Sequence, residues 1–335
     1  MKVVAILGPR QAGLVDRPDP RPREHIVVVK VLSAPLCTEY RLFLEGRVSE
    51  NHGHEAAGEV IAVDKATRVK VGDRVLVQPQ NACGRCALCV AGAHIHCQQQ
   101  EDVLAITGSA AGTGTYAQLL LKGEHLLTPI PPDLSYDHAA MACCGLGPTF
   151  GAMELMHVDA FDTVLITGFG PVGLGGIINA RSRGARVIGV DAHPYRAELA
   201  RRLGAEAVVD PQAPDAVRHI LDLTDGCGAT ACIEASGNSA AKNLLLEAAA
   251  RTGRVALVGW NGHLDVNTIT AKGLTVFGSW HYRQQEVLRL FEVIRRSRAA
   301  IDQLITHTFP MRQIQQAWEL QASGNCGKVV LHPWE

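Results

Sequence analysis

The stretch Thr163-Val-Leu-Ile-Thr167-Gly168-Phe169-Gly170-Pro171-Val172-Gly173 runs five residues of strand character into a turn with glycines at its first, third and sixth positions. The residues that follow, Leu174 to Arg183, carry a helical pattern, so the segment reads as strand, Gly-rich turn and helix. In such a unit the glycines allow a tight turn, approach of the backbone to a pyrophosphate and close packing of helix on strand. Pro171 and Val172 complete the turn, and the helix N-terminus supplies free N–H groups and the positive end of a dipole. The next strand, Arg186 to Asp191, ends in a carboxylate 18 residues after Gly173. There it can accept hydrogen bonds from an adenosine ribose and would repel a 2'-phosphate, which points to NAD rather than NADP. Alone, Asp191 reads equally as the N-cap of the helix that carries Arg196 to Leu203. Arg196, with His193, adds positive charge beside it.

Outward from this unit, a strand-and-helix rhythm continues through Ala207 to Val209, Ala231 to Glu234, Arg254 to Val258 and Leu274 to Gly278. That is the pattern of a parallel sheet covered by helices. Upstream, from Met1 to about Leu127, short β-branched runs such as Ile26 to Leu32, Gly58 to Val63 and Arg74 to Val77 alternate with Gly, Pro and charged residues. Downstream lie two amphipathic helix patterns, Val287 to Arg296 and Met311 to Gln321, and a terminal strand, Lys328 to Leu331. At 335 residues the chain is long for one core, and ~100 to 200 residues per domain predicts two domains. With 47% apolar residues, 19% charged residues and a net charge of −1, nothing draws it to nucleic acid or an anionic membrane. No run approaches the ~18 apolar residues of a membrane span. The opening MKVVAIL is broken by Gly8-Pro9-Arg10 before it could serve as a signal core, so a cytoplasmic chain is expected.

Ten cysteines in such a chain point to metal or catalysis rather than disulfides. Cys83, Cys86, Cys89 and Cys97 fall within one short excursion, and four thiolates make a closed tetrahedral zinc site of the structural kind. A second group is only hinted at: Cys37 stands 17 residues before His54-Glu55, and a lone His or Cys is more often a core residue than a ligand.

Taken together, Cys37, Gly53-His54-Glu55-Ala56-Ala57-Gly58, Val71-Gly72-Asp73-Arg74-Val75, the four-cysteine lobe, Gly168 to Gly173 with Asp191, and Ile305-Thr306-His307 resemble the zinc-dependent medium-chain dehydrogenase/reductase family. The resemblance runs from about Lys2 to Leu331. It implies an α/β chain: a GroES-like β-rich catalytic domain (1–150) and a Rossmann doubly wound parallel-sheet domain (151–286). A C-terminal segment (287–335) completes the first. It also implies two zinc ions and NAD per chain, a small alcohol or carbonyl substrate, and a homodimer or homotetramer. Carried onto this sequence, Cys37 and His54 look like ligands of a catalytic zinc, with Glu55 a ligand or an exchanging neighbour. The last ligand falls at Cys143 or Cys144, and counting back from Phe150 selects Cys144. The family's threonine near this turn is replaced by Pro148, with Thr149 next to it. Val258, Gly259, Ser279 and Trp280 fall at strand ends on the cofactor side. Ser279-Trp280-His281-Tyr282 resembles a stretch of the polyol dehydrogenases, and reads equally as an aromatic strand end that packs.

In a site of this kind zinc acts as a Lewis acid on the alcohol and the nicotinamide accepts hydride. The family commonly places a Ser or Thr two residues after the first cysteine to pass the proton on. Here that position is Glu39, with Thr38 one place early. A carboxylate can itself serve as base where burial raises its pKa, so Glu39 is expected to take or relay the proton. The other readings of Glu39 are that it holds Arg41 or a substrate hydroxyl, or faces solvent. The short spacing from Cys37 to His54 suggests a trimmed loop and a bulky or polar substrate. The leading function is oxidation of a secondary alcohol such as a polyol or sugar derivative by NAD. Its rivals are a zinc-free, NADPH-dependent enone or quinone reductase of the same superfamily and a non-catalytic nucleotide-binding sensor.

Overall fold

A computed structural model describes all residues from Met1 to Glu335. The chain divides into two compact units: one of Met1–Cys143, Arg283–Ile294 and Ile305–Glu335, the other of Cys144–Tyr282 and Arg295–Leu304.

The first unit is β-rich. An antiparallel hairpin, Lys2–Gly8 with Gln11–Asp16, stands beside a mixed sheet ordered Ile305–Pro310, Lys328–His332, Ile26–Pro35, Ala56–Ala62, Arg74–Val77 and Leu127–Pro129. Leu119–Gly123 also pairs with Ile26–Pro35. The run Ile-Val-Val-Val from Ile26 is apolar at every position because both faces of its strand are covered. Val27, Val29 and Val31 enter the main core, while Ile26 and Val28 enter a smaller one with Leu119 and Leu121. Side chains alternate across a strand, so one apolar run serves two cores.

Of the C-terminal segment, Arg283–Ile294 and Ile305–Glu335 fall in this unit, while Arg295–Leu304 falls in the other. The strand Lys328–His332 pairs antiparallel with Ile26–Pro35, Val330 opposite Pro35, and the Leu36 N–H donates to the Val329 carbonyl at 2.8 Å. The helical pattern predicted over Met311 to Gln321 begins as a 3-10 turn, Met311–Gln313, and becomes an α-helix, Ile314–Ser323. Its Trp318 is fully buried against Phe43, with ring centroids 5.3 Å apart. Burial of a side chain this large stabilises by roughly 3 kcal/mol or more relative to exposure.

The second unit carries six parallel strands: β1 (Thr163–Thr167), β2 (Arg186–Val190), β3 (Ala207–Val209), β4 (Ala229–Glu234), β5 (Ala249–Leu257) and β6 (Thr275–Gly278). Their order in the sheet is β3-β2-β1-β4-β5-β6, the doubly wound order expected from the sequence, with its reversal between β1 and β4. Leu165, Ile188, Cys232 and Val255 pack in one buried cluster on one face, and Val164, Ile166, Val187, Ile233 and Ala256 are buried on the other, so the strands are covered on both.

Candidate active site

In the cysteine lobe, a short helix (Ala87–Val90) and a 3-10 turn (His94–His96) fold the excursion back so that four sulfurs converge. Sγ separations are 3.5 Å for Cys86–Cys89, 3.9 Å for Cys86–Cys97 and 3.6 Å for Cys83–Cys97. Zn–S bonds of about 2.3 Å at tetrahedral angles put sulfurs about 3.8 Å apart, so the lobe matches zinc. These distances are far beyond the ~2.05 Å of a disulfide. Backbone N–H groups of Cys83, Cys86 and Gln99 donate to sulfurs here. The Cys86 thiol, faced above all by the Cys89 N–H, is pulled down to about 6. Such donors favour the thiolates that a metal needs.

The second group draws on distant segments. Cys37 follows the end of strand Ile26–Pro35, and His54 and Glu55 immediately precede strand Ala56–Ala62. Together with Cys144, which follows Cys143 at the end of the first unit's longest segment, they offer ligand atoms all within 4.8 Å of one another. Two sulfurs and an imidazole are the three donors of a zinc site with an open position, and the carboxylate stands where it could enter or leave the fourth. Cys143, the other candidate, is fully buried and its thiol donates to the Val77 carbonyl at 3.5 Å.

His54 is oriented by its surroundings. Gly53 has φ +87, and a Cβ there would lie 2.4 Å from both Thr115 Oγ1 and the Tyr116 ring, so only glycine lets the backbone pass this close. The Tyr116 N–H donates to the His52 carbonyl at 2.9 Å and the Thr115 N–H to the Gly53 carbonyl at 3.2 Å. The His54 Nδ1 lies 2.7 Å from Glu39 Oε1, and the Tyr116 hydroxyl donates to Glu39 Oε2 at 2.9 Å. Burial opposes charge on the ring, but hydrogen bonds with Cys37 and Glu39 hold its pKa up at about 11.

The expectation that burial raises Glu39 is corrected. Burial does push it up, but its bond to His54 outweighs that, and the carboxylate falls to about 2. Glu39 therefore neither holds Arg41 nor faces solvent; both oxygens are taken, by His54 and Tyr116. Although it stands at the N-cap of helix Tyr40–Glu45, its side chain does not cap that helix. Thr38 is exposed and enters none of these bonds.

Glu55 is fully buried and accepts from Lys328 Nζ at 2.6 Å, an ion pair with no exposure on either side. Burial raises Glu55 to about 8 against the pull of the Lys328 ammonium. From the C-terminal helix, Gln321 Nε2 donates to the Cys37 carbonyl at 2.5 Å. Tyr116, Lys328 and Gln321 were not singled out from the sequence. They lie 79, 273 and 284 residues from their partners, and nothing local marks them.

In the second unit the glycines of the turn meet different local demands. Gly168 has φ +86 and a Cβ there would lie 2.7 to 2.8 Å from Ser236, while a Cβ on Gly173 would lie 1.9 Å from the Gly168 carbonyl oxygen. Above Gly170 the space is open, and the helix Pro171–Ser182 starts there with Gly170 as N-cap and Pro171 at its first position. Val172 lies in its first turn. Asp191 is not an N-cap; His193 holds that position for helix Pro194–Arg202. Instead the Asp191 carboxylate accepts from the Phe169 N–H at 2.6 Å and the His193 N–H at 2.7 Å, tying the turn to the end of β2. Arg196 lies in the helix after it.

Across the strand-order reversal, the Glu234 carbonyl accepts from Val258 and Gly259, and its carboxylate accepts from the Ser236 and Gly237 N–H groups. Thr149 accepts from Asn179 at 2.8 Å and donates to the Leu146 carbonyl at 3.1 Å, so its hydroxyl is committed within the fold. Ser279 is buried, and Trp280 meets Trp260 edge to face with centroids 5.2 Å apart. Tyr282 packs likewise on Phe150.

Two family models match the chain: an alcohol dehydrogenase GroES-like domain over residues 23–132 and a zinc-binding dehydrogenase domain over residues 171–296. The L-threonine 3-dehydrogenase of Pyrococcus furiosus is 30% identical over 350 residues, covering 98% of each chain. The sorbitol dehydrogenase of Bacillus subtilis is 28% identical over 349 residues, covering 99% of this chain and 97% of that one. Among solved structures, the alcohol dehydrogenase TADH from Thermus sp. ATN1 superposes with a TM-score of 0.89 at 25% identity, with 99% of each chain covered.

Proposed function

The chain belongs to the zinc-dependent medium-chain dehydrogenase family, and we propose that within it Cys37, His54 and Cys144 hold the catalytic zinc of an enzyme that oxidises polar secondary alcohols with NAD. The observation that carries this reading is the convergence of Cys37, His54, Glu55 and Cys144 within 4.8 Å. When bound, zinc supplies Lewis acidity toward the alcohol oxygen and NAD supplies the hydride acceptor.

The chain's own residues set the conditions for that chemistry. Glu55, balanced by Lys328, stands as the exchanging neighbour, which leaves three protein ligands and an open position for substrate. Glu39 orients His54 through Nδ1, so the imidazole presents Nε2 to the metal. The turn Gly168 to Gly173 and the helix it opens would receive the pyrophosphate. Asp191 retains lone pairs on both oxygens for a ribose. Val258, Gly259, Ser279 and Trp280, at the ends of β5 and β6, would border the nicotinamide half. Cys83, Cys86, Cys89 and Cys97 hold the structural zinc in this reading.

The substrate class is supported by relatives named for L-threonine and sorbitol, both hydroxyl compounds with polar neighbours to the reacting carbon. The open edge of β6, with Val276 and Phe277 half-buried, supports a homo-oligomer. No helix is long and apolar enough to cross a membrane. The ten cysteines are thiols rather than disulfides, which supports a reducing, cytoplasmic setting. Anaerobic incubation with NAD and a panel of polyols, sugars and hydroxy amino acids, reading NADH, tests the activity, with zinc per chain measured on the same sample. NADH from a polar secondary alcohol at two zinc per chain is the expected result. Zinc at one per chain, or no NADH from any alcohol, would overturn the reading.

A further inference from the structure

We propose that His25, Glu101 and His125 form a third metal site, for a divalent transition ion, separate from both zinc groups. Their ligand atoms all lie within 4.8 Å of one another. The three residues come from separate segments of the β-rich unit: His25 precedes strand Ile26–Pro35, Glu101 precedes helix Val103–Thr107, and His125 lies in the 3-10 turn Glu124–Leu126.

The geometry around each ligand is that of a prepared site. His25 Nε2 lies 3.0 and 2.9 Å from the two Glu101 oxygens, facing the carboxylate evenly. His125 Nε2 lies 2.6 Å from the Ala82 carbonyl, which can only accept, so that nitrogen carries the proton and donates. In the neutral ring Nδ1 then holds the free lone pair, and a backbone carbonyl on the other nitrogen is the usual orienting partner of a metal-bound histidine. A Cβ at Gly123 would lie 3.1 Å from His125 Nδ1 and 3.5 Å from Glu101 Oε2, so both converge above a residue without a side chain.

All three ligands are partly exposed, the Glu101 side chain at 9% and His25 at 36%, which leaves positions for water and a path for entry. Two imidazoles and one carboxylate suit zinc, cobalt or nickel better than magnesium or calcium. The site also has a mechanical consequence. The Ala82 carbonyl that orients His125 precedes Cys83, and the His125 ring covers Gly84 so closely that a Cβ there would lie 2.7 Å from it. A metal at this position would brace the base of the cysteine lobe against the sheet.

The test uses full-length protein without a histidine tag, loaded with zinc at its two zinc groups and titrated with further Zn(II) or Co(II) before dialysis. Metal per chain is then measured for wild type, His25→Gln and Glu101→Gln, with circular dichroism confirming equal folding. Wild type is expected to retain three equivalents and each variant two, with unchanged NADH-forming activity. The thermal midpoint should rise with added zinc in wild type only. Two equivalents in wild type would reduce the cluster to a His–Glu ion pair and overturn the proposal, as would a third equivalent retained by either variant.

Discussion

The Tyr116 hydroxyl donates to Glu39 Oε2 at 2.9 Å and accepts from the Cys37 N–H at 3.1 Å, so one buried phenol ties together both ends of the Cys37–Thr38–Glu39 turn. Glu39 in turn reaches His54 Nδ1 at 2.7 Å. The bonds link two proposed zinc ligands through a residue that would touch neither metal nor substrate. Burial, reinforced by the Glu39 charge, keeps the phenol proton in place to donate.

Tyr116→Phe removes the hydroxyl at nearly constant volume and leaves a carboxylate oxygen and an amide unpartnered in the interior. Stability should fall by about 1 to 3 kcal/mol, and zinc should be lost faster to a chelator. Urea unfolding and timed zinc release check this; a variant that matches wild type in both would show the phenol to be idle.

Glu39→Gln separates an orienting role from a proton-accepting one. As an orienting residue it should lower zinc affinity at the catalytic group by about 10- to 100-fold, while the pH profile of single-turnover hydride transfer in zinc-saturated enzyme keeps its shape. Full zinc retention together with loss of one limb of that profile would identify Glu39 as the base instead.

Lys328→Met strips Glu55 of its partner in a site with no solvent, which should cost about 3 to 5 kcal/mol because the buried carboxyl loses the ammonium that offsets its desolvation. The double variant Lys328→Met, Glu55→Gln should recover most of that loss. Denaturation of the four-member cycle measures the coupling, and additive losses would contradict a mutually dependent pair.

His332 offers a pH dependence away from the metal groups. Its Nε2 lies 3.1 Å from both Asp137 oxygens, and this bond raises its pKa above 6.5 against partial burial. A pKa raised on folding gives stability that is fully present below the unfolded value and disappears as pH rises through the folded one. Asp137, lowered by the same bond although burial opposes it, loses its contribution only at acid pH as it protonates. Wild type should therefore exceed His332→Gln by on the order of 1 kcal/mol near pH 6, and the gap should close by about pH 9. Urea midpoints at the two pH values decide it; a constant gap would exclude the protonated pair as the source.

Legibility tracked the distance along the chain between cooperating residues. Strand Thr163–Thr167, its glycine turn and the following helix are contiguous, so the unit is legible from local pattern, and Gly173 is demanded by the Gly168 carbonyl five residues back; the contact of Gly168 with Ser236, 68 residues on, belongs to the fold. The four cysteines of the lobe fall within fifteen residues, where spacing alone limits what they can hold. The pairing of Cys37 with His54-Glu55 was visible only through a family resemblance, because sixteen residues of turn and helix lie between Cys37 and His54. Glu39 shows the limit most clearly. Its presence in place of a hydroxyl was evident, yet its partner could not be known until the fold brought Tyr116 and His54 to either side.

By itself, then, the sequence determined the α/β class, the strand–glycine turn–helix unit and the four-thiol donor set of the cysteine lobe, which follow from local period, backbone freedom and side-chain type. Tertiary structure alone decided that Glu39 is held low by an imidazole, that Lys328 neutralises Glu55, and that His25, Glu101 and His125 meet. Each of these depends on an electrostatic environment assembled from remote strands. In a buried site a carboxylate's charge, partner and pKa belong to the surroundings rather than to the residue, and sequence position does not encode those surroundings.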